Sequence, residues 1–204
     1  RELEHWLIHR AVESRLVRQQ DGAALSGPAL ERVLHRLIAF KKYQHVIARR
    51  GYEFRVHEQL GELYVRQDRP KDAADTFAAF ARRQPLHAQA PALQARVIGI
   101  YDKGGLPTLA LGAKKDYVQR YGAASEFRRA NPSGWQGAQA LVKTHLVQLA
   151  RHYHALAQKT KATTDVQEAV RWYGTLLTSF PTDAEAPANR FLLAELLFED
   201  RRWA

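Results

Sequence analysis

Residues 52–87 contain two segments with apolar residues at helical spacing, joined by a turn at residues 67–70. One face of each segment carries both small and large side chains, and a proline follows the second segment: Leu60, Gly61, Tyr64, Ala73, Phe77 and Pro85. Gly61 and Ala73 leave room for two helices to approach closely, while Tyr64 and Phe77 fill the space beside them. We therefore predict a tightly packed helix pair that ends at Pro85.

Further segments with the same helical spacing follow along the chain, and no strand-like alternation persists anywhere. We predict a second pair at 88–121, a third at 138–182 and a truncated one at 184–204. Residues 1–51 are predicted to form N-terminal helices, either a degenerate repeat or a cap. If the second pair repeats the first pair 34 residues later, Ala95 takes the position of Gly61 and Pro107 takes the position of Ala73. Residues 122–137 are expected to be the least regular segment, with a turn at 131–134 and a long helix beginning at 138.

These matched positions resemble the tetratricopeptide repeat family, whose members stack pairs of helices. The resemblance implies an all-α fold in which antiparallel pairs form one continuous right-handed superhelix. The structural positions that carry it in the later repeats are Tyr153, Leu156, Ala157, Ala169, Tyr173, Pro181 and Ala194.

The composition indicates an ordinary folded protein with a basic surface. The chain has 204 residues, 46% of them hydrophobic, a formal net charge of +10 and no cysteine. The charge suggests an acidic partner, but a merely soluble basic protein is the alternative, since no Lys/Arg cluster exceeds three residues in a row. The lack of cysteine excludes disulfides and thiol catalysis. No apolar run approaches the length of about 20 residues that a membrane span requires. Because the chain lacks an initiator methionine and ends where another helix is expected, we interpret it as an internal piece of a longer protein.

The sequence offers no specific support for an enzyme, and we predict neither a catalytic residue nor a cofactor. His5 and His9 stand four residues apart, a spacing that can bind zinc, but the metalloprotease pattern around them is absent. His145 and His152 share a helix face with leucines, which is typical of packing positions. No metal site is therefore predicted.

In tetratricopeptide arrays the concave face consists mainly of first-helix positions that do not serve packing. We expect polar side chains there to bind an extended peptide or a partner helix. The candidate residues are Arg55, Glu58, Glu62, Arg66, Gln89, Arg96, Arg151, His154 and Gln158. No interleaving of aromatic and basic residues that would stack nucleic-acid bases is evident.

Residues 169–187 and 191–203 are similar to segments of bacterial envelope members of the family, such as the BamD-like outer-membrane assembly lipoproteins and the periplasmic cell-division coordinators. This resemblance implies a periplasmic or outer-membrane-associated scaffold, while a cytoplasmic location stays open. The leading hypothesis is thus a non-enzymatic scaffold for protein partners. The alternatives are a basic module that binds nucleic acid or another polyanion, and a regulatory module of a larger enzyme. Oligomeric state stays open.

Overall fold

A computed structural model describes His35 and residues 52–199, and within these residues the protein is all-α, with no strand. Residues 52–199 contain eight helices. They are α1 (Tyr52–Arg66), α2 (Pro70–Arg83), α3 (Ala90–Lys103), α4 (Pro107–Tyr121), α5 (Glu126–Ala130), α6 (Pro132–Thr160), α7 (Thr163–Ser179) and α8 (Ala186–Glu199). The predicted N-terminal helices, the His5–His9 pair and the last five residues of the predicted truncated repeat lie outside the described residues.

Prolines mark several helix starts and ends. Proline stands at the first or second position of α2, α3, α4 and α6, where a missing N–H costs nothing and the fixed φ angle suits a helix. Helix α2 ends at Arg83, directly before Gln84, whose helical conformation is disfavoured by Pro85. The sequence predicted both the turn before Pro70 and this stop. They follow from local sterics alone.

Each helix packs mainly against its neighbours along the chain. Helices α1 to α4 contact one another in order, α4 packs against α6 with the short α5 beside both, and α7 lies between α6 and α8. The core that runs through these contacts contains large side chains that are almost completely buried: Tyr64, Phe77, Phe80, Tyr117, Tyr121, Phe127, Leu146, Leu149 and Tyr173. None of the described helices combines the length and the apolar composition that crossing a bilayer requires.

Gly61 and Phe77 form the close contact between α1 and α2. A Cβ atom at position 61 would lie 2.7 Å from Cδ1 of Phe77 and closer still to Cε1 and Cζ, so the aromatic ring occupies the space that any larger side chain would need. Ala73, one turn before Phe77, is fully buried in the same interface. The pairing of small and large residues inferred from the sequence is present here.

The second helix pair repeats the geometry of the first, but with an offset different from the one we predicted. Pro70 and Pro107 both open the second helix of a pair after a three-residue loop, and they are 37 positions apart. The residue at the position of Ala73 is therefore Ala110, which is buried, and not Pro107, as the 34-residue offset had it. Pro107 instead corresponds to Pro70. The predicted offset was wrong because it assumed a fixed repeat length where this chain has three extra residues.

The region between the second and third pairs is more regular than we predicted. Residues 126–130 form α5, and α6 begins at Pro132 instead of residue 138. Of the predicted turn at 131–134, only Asn131 lies outside a helix, so this prediction is wrong for residues 132–134. Pro132 suits the first helical position, and the Asn131 side chain donates a hydrogen bond to the carbonyl of Leu86. This long-range contact holds the start of α6, and no local pattern reveals it.

The other predicted structural positions fall into two groups. Most are buried, with Leu156 half-buried: Leu60, Gly61, Tyr64, Ala73, Phe77, Tyr153, Ala157, Ala169 and Tyr173. Pro85 and Pro181 are exposed just after α2 and α7 end, as expected of residues that stop a helix. Ala194 is exposed, contrary to its predicted packing role, because α8 buries Ala186, Asn189 and Leu196 instead.

We predict that Gly61→Leu lowers the free energy of unfolding by about 2 kcal/mol or more, because the new side chain overlaps with the ring of Phe77. The matched control is Gly99→Ala in α3, where an added Cβ meets no atom within 4 Å. This control raises stability by about 0.5–1 kcal/mol through helix propensity. Urea unfolding followed by circular dichroism measures both variants. Equal stability of Gly61→Leu and the parent chain would show that α1 and α2 do not approach closely at this point.

Candidate functional site

The predicted binding residues of α1 form one stripe. Arg55 and Arg66 are exposed, and Glu58 and Glu62 are half-buried. Their positions recur with helical spacing, so all four lie on the same side of the helix. Glu62 forms an ion pair with Arg96 of α3, and among the ion pairs of residues 52–199 this is the one that joins two of the nine predicted residues. This pair joins the first helices of two successive helix pairs.

Arg96 also connects this surface to the core beneath it. Its guanidinium carbon lies 5.7 Å from the centre of the Phe77 ring, the same ring that fills the space beside Gly61. The side chain is still half exposed. Gln89 is exposed directly before α3 begins. The charged surface around α1 and α3 is thus in contact with the buried interface of α1 and α2.

On α6, the structure separates the three predicted residues. Arg151 and Gln158 are exposed, whereas His154 is only 7% exposed and its Nδ1 lies 3.2 Å from the hydroxyl oxygen of Tyr173. The histidine ring also packs edge-on against the Tyr173 ring. His154 is therefore part of the α6–α7 interface and does not belong to an exposed binding surface. The sequence could not show this, because Tyr173 lies on another helix.

A second candidate site, absent from the sequence predictions, surrounds α5. The hydroxyl of Ser125 accepts a hydrogen bond from the Arg128 backbone N–H and so caps this short helix. Arg128 Nη1 donates to the carbonyl of Ala123 at 3.0 Å, and its guanidinium carbon lies 4.3 Å from the centre of the Trp135 ring. Trp135 is fixed in turn, because its indole N–H donates to the carbonyl of Tyr121 at 3.1 Å.

These groups line an open pocket of about 940 Å³, which we call the α5 pocket. Its lining residues are Ala123, Ala124, Arg128, Arg129, Pro132, Trp135, Gln136 and Gln139. The second arginine is held like the first, since Arg129 Nη1 donates to the carbonyl of Ala124 at 3.4 Å. The adjacent arginines followed by a tryptophan were visible in the sequence. Only the α5–α6 arrangement places them around one cavity.

The described residues contain no group of three or more His, Asp or Glu side chains that could hold a metal ion. The two candidate sites present arginine, glutamate and glutamine side chains.

The core contains buried histidines whose pKa values are shifted by their surroundings. His57 in α1 is bonded through Nδ1 to the backbone carbonyl of Glu53 at 2.9 Å and packs against Phe80. The Glu53 carboxylate is buried as well, and it pairs with Arg83 at 3.1 Å and accepts a hydrogen bond from Gln84. Burial lowers the pKa of His57 below its ordinary value of 6.5 and so favours the neutral ring in the folded protein.

A similar arrangement joins α4 and α6. His145 packs edge-on against Tyr117, and burial lowers the pKa of this histidine as well. Burial also raises the pKa of the neighbouring Tyr121 to about 12. Both phenols are therefore neutral hydroxyls at physiological pH, since the pKa of Tyr117 shifts in the same direction for the same reason. Together these rings form an uncharged polar layer inside the core.

Comparison of the chain with protein-family models, with curated proteins and with solved structures gives no match.

We predict that the free energy of unfolding decreases as the pH falls from about 8 to about 5. The pKa values of His57 and His145 lie below 6.5 in the folded state, so the unfolded chain takes up protons there that the folded chain does not. Stability from these groups is complete above the unfolded pKa and is lost as the pH drops below it. Urea unfolding at several pH values measures the effect.

His57→Asn is the variant for this experiment, because the amide N–H can replace Nδ1 opposite the Glu53 carbonyl without titrating. We expect a lower stability at pH 8 but a shallower decrease towards pH 5. The control is His152→Asn, at an exposed position of α6, which retains the full dependence. An unchanged slope in His57→Asn would contradict the assignment.

Proposed function

We propose that this chain is a non-enzymatic scaffold of the tetratricopeptide type, in which helix pairs stack into a right-handed superhelix and bind a protein partner. The repetition of one helix-pair geometry supports this proposal. Pairs α1–α2 and α3–α4 have three-residue loops, a proline at the start of the second helix and a buried alanine three residues later. Pairs of this kind bury one face each and depend on their neighbours to cover the other.

The observation that carries the binding proposal is the Glu62–Arg96 ion pair. It joins α1 to α3, the first helices of the two pairs, so their charged residues belong to one surface, which we call the first-helix surface. Arg55 and Arg66 extend this surface along α1 and are both exposed. Long polar side chains on a rigid helical support suit the recognition of an extended peptide or a partner helix.

An envelope location is part of the same proposal and depends on the resemblance of residues 169–187 and 191–203 to bacterial envelope members of the family. Within the described range these residues cover the later part of α7, the following loop and most of α8, up to Glu199. In an envelope assembly, a repeat scaffold holds several proteins together by offering each a section of its surface.

The net charge of +10 favours a second candidate function, the binding of nucleic acid or another polyanion. The two functions differ in their dependence on salt. Binding to phosphates releases counterions and weakens steeply as salt increases, whereas a peptide that buries apolar side chains is much less affected.

We predict that Arg55→Ala/Arg66→Ala weakens partner binding while changing the free energy of unfolding by less than about 0.5 kcal/mol, because both residues are exposed. The immobilised chain captures proteins from an extract of its native cells at low and at high salt, and mass spectrometry identifies what each variant retains. The control is Arg82→Ala/Arg190→Ala, which removes the same charge from exposed positions on α2 and α8, outside the first-helix surface.

Envelope proteins that the parent and the control retain at both salt concentrations, and that the double variant loses, would support the scaffold proposal. Nucleic acid or ribosomal proteins that are released at high salt would favour the polyanion alternative. Equal capture by all three chains would contradict a role for the first-helix surface.

A further inference from the structure

We propose that the α5 pocket binds an acidic peptide segment of a protein partner, with carboxylates on Arg128 and Arg129 and an apolar side chain beside Trp135. The proposal deepens the scaffold function and rests on it, but assigns a distinct site, formed by the loop after α4, by α5 and by the first turns of α6.

The two guanidinium groups are positioned for an anion but have none among the described residues. Each donates one hydrogen bond to a loop carbonyl, of Ala123 for Arg128 and of Ala124 for Arg129, which fixes the group and leaves its other N–H donors available. Several other cations of residues 52–199 pair with a carboxylate, as Lys115 does with Glu168. No ion pair within the described range includes Arg128 or Arg129, although Glu126 stands on the same short helix. A carboxylate that enters the pocket can accept two parallel hydrogen bonds from a guanidinium.

The remaining lining indicates that the ligand has an apolar part. Trp135 is held by its bond to the Tyr121 carbonyl, so its ring forms a rigid wall that loses little entropy when a ligand packs beside it. Ala123, Ala124 and Pro132 add small apolar surfaces. An extended peptide segment with acidic and apolar residues close together would match a pocket that combines two arginines with an apolar lining.

Two glutamines favour a peptide over a nucleic acid. Gln136 and Gln139 are exposed on successive turns of α6 and offer both amide donors and amide acceptors, which a peptide backbone requires. A nucleic acid requires a track of cations along its phosphates and an open aromatic face. The pocket has only two cations and no lysine, and Arg128 already covers one face of Trp135.

The test uses the complete chain and a fluorescein-labelled synthetic peptide in which Glu alternates with Leu, together with its Gln–Leu counterpart, in fluorescence anisotropy titrations. We expect the parent chain to bind the Glu–Leu peptide at least about tenfold more tightly than the Gln–Leu peptide, because a hydrogen bond to a charged partner is the stronger kind. Absence of Glu–Leu binding at low salt, or equal binding of both peptides, would overturn the proposal.

Arg128→Gln/Arg129→Gln keeps hydrogen-bonding side chains on this exposed helix and should weaken Glu–Leu binding about tenfold or more. Arg82→Gln/Lys103→Gln removes the same charge elsewhere and should change binding less than about twofold.

A second test adds charge instead of removing it: Gln139→Glu places a carboxylate in the pocket and should also weaken binding, at an exposed position where folding is unaffected. If the control and the arginine variant lose the same affinity for the Glu–Leu peptide, the effect is one of net charge, and the proposed site is wrong.

Two further measurements separate this proposal from its alternatives. A labelled single-stranded oligonucleotide that binds more tightly than the Glu–Leu peptide, and loses affinity in the Arg128→Gln/Arg129→Gln variant, would assign the pocket to nucleic acid and overturn the peptide proposal. Arg55→Ala/Arg66→Ala should bind the Glu–Leu peptide like the parent chain. The peptide titration thus tests the pocket, whereas capture of cellular partners by the variants of the first-helix surface tests the scaffold function.

Discussion

The close approach of α1 and α2 at Gly61 is the constraint on which the first half of the structure depends. The Phe77 ring lies where a side chain at position 61 would be, and it lies next to the guanidinium of Arg96 on α3. Phe77 therefore connects three helices: it packs against α1, belongs to α2 and supports α3. Because Arg96 pairs with Glu62, the residue after Gly61, the exposed charged surface is aligned by the same contact that packs the core. Stability and the proposed recognition surface share one physical origin.

Contacts between a buried histidine and an aromatic residue recur at three helix interfaces. Phe80, Tyr117 and Tyr173 each occupy the eleventh position of their helix, α2, α4 and α7. Each packs against a buried histidine of a neighbouring helix, namely His57, His145 and His154. Burial lowers the pKa values of the first two rings and so favours their neutral form. Nδ1 of His57 and Nδ1 of His145 bond within their own helices, to the Glu53 carbonyl and to Gln148. The bond between His154 and the Tyr173 hydroxyl instead joins α6 to α7 and helps to fix their relative position.

The two candidate sites differ in how the fold presents their charges. On the first-helix surface, opposite charges on successive helix pairs neutralise each other in part, and the exposed arginines lie beyond the ion pair. In the α5 pocket, two arginines are held by backbone carbonyls and face no carboxylate of the described residues. A backbone carbonyl orients a guanidinium without neutralising its charge, so the attraction for an anionic ligand is preserved. A partner that occupies both sites would gain avidity from a single chain.

Local sequence patterns predicted the two helix pairs of residues 52–121, the turn at residues 67–70 and the packing of small against large side chains between α1 and α2, because periodicity, proline sterics and side-chain size act over a few residues. They also indicated the stripe of Arg55, Glu58, Glu62 and Arg66, since these share one helix. The 37-residue offset of successive pairs follows from helix and loop lengths, which the assumption of a fixed repeat length did not allow for. Three other features were not indicated by the sequence pattern: His154 is buried against Tyr173, α6 begins at Pro132 with Asn131 bonded to Leu86, and the α5 pocket lies beside α5 and α6. Each of these three depends on contacts between helices or loops that are distant in the chain, and such contacts leave no periodic trace in the sequence.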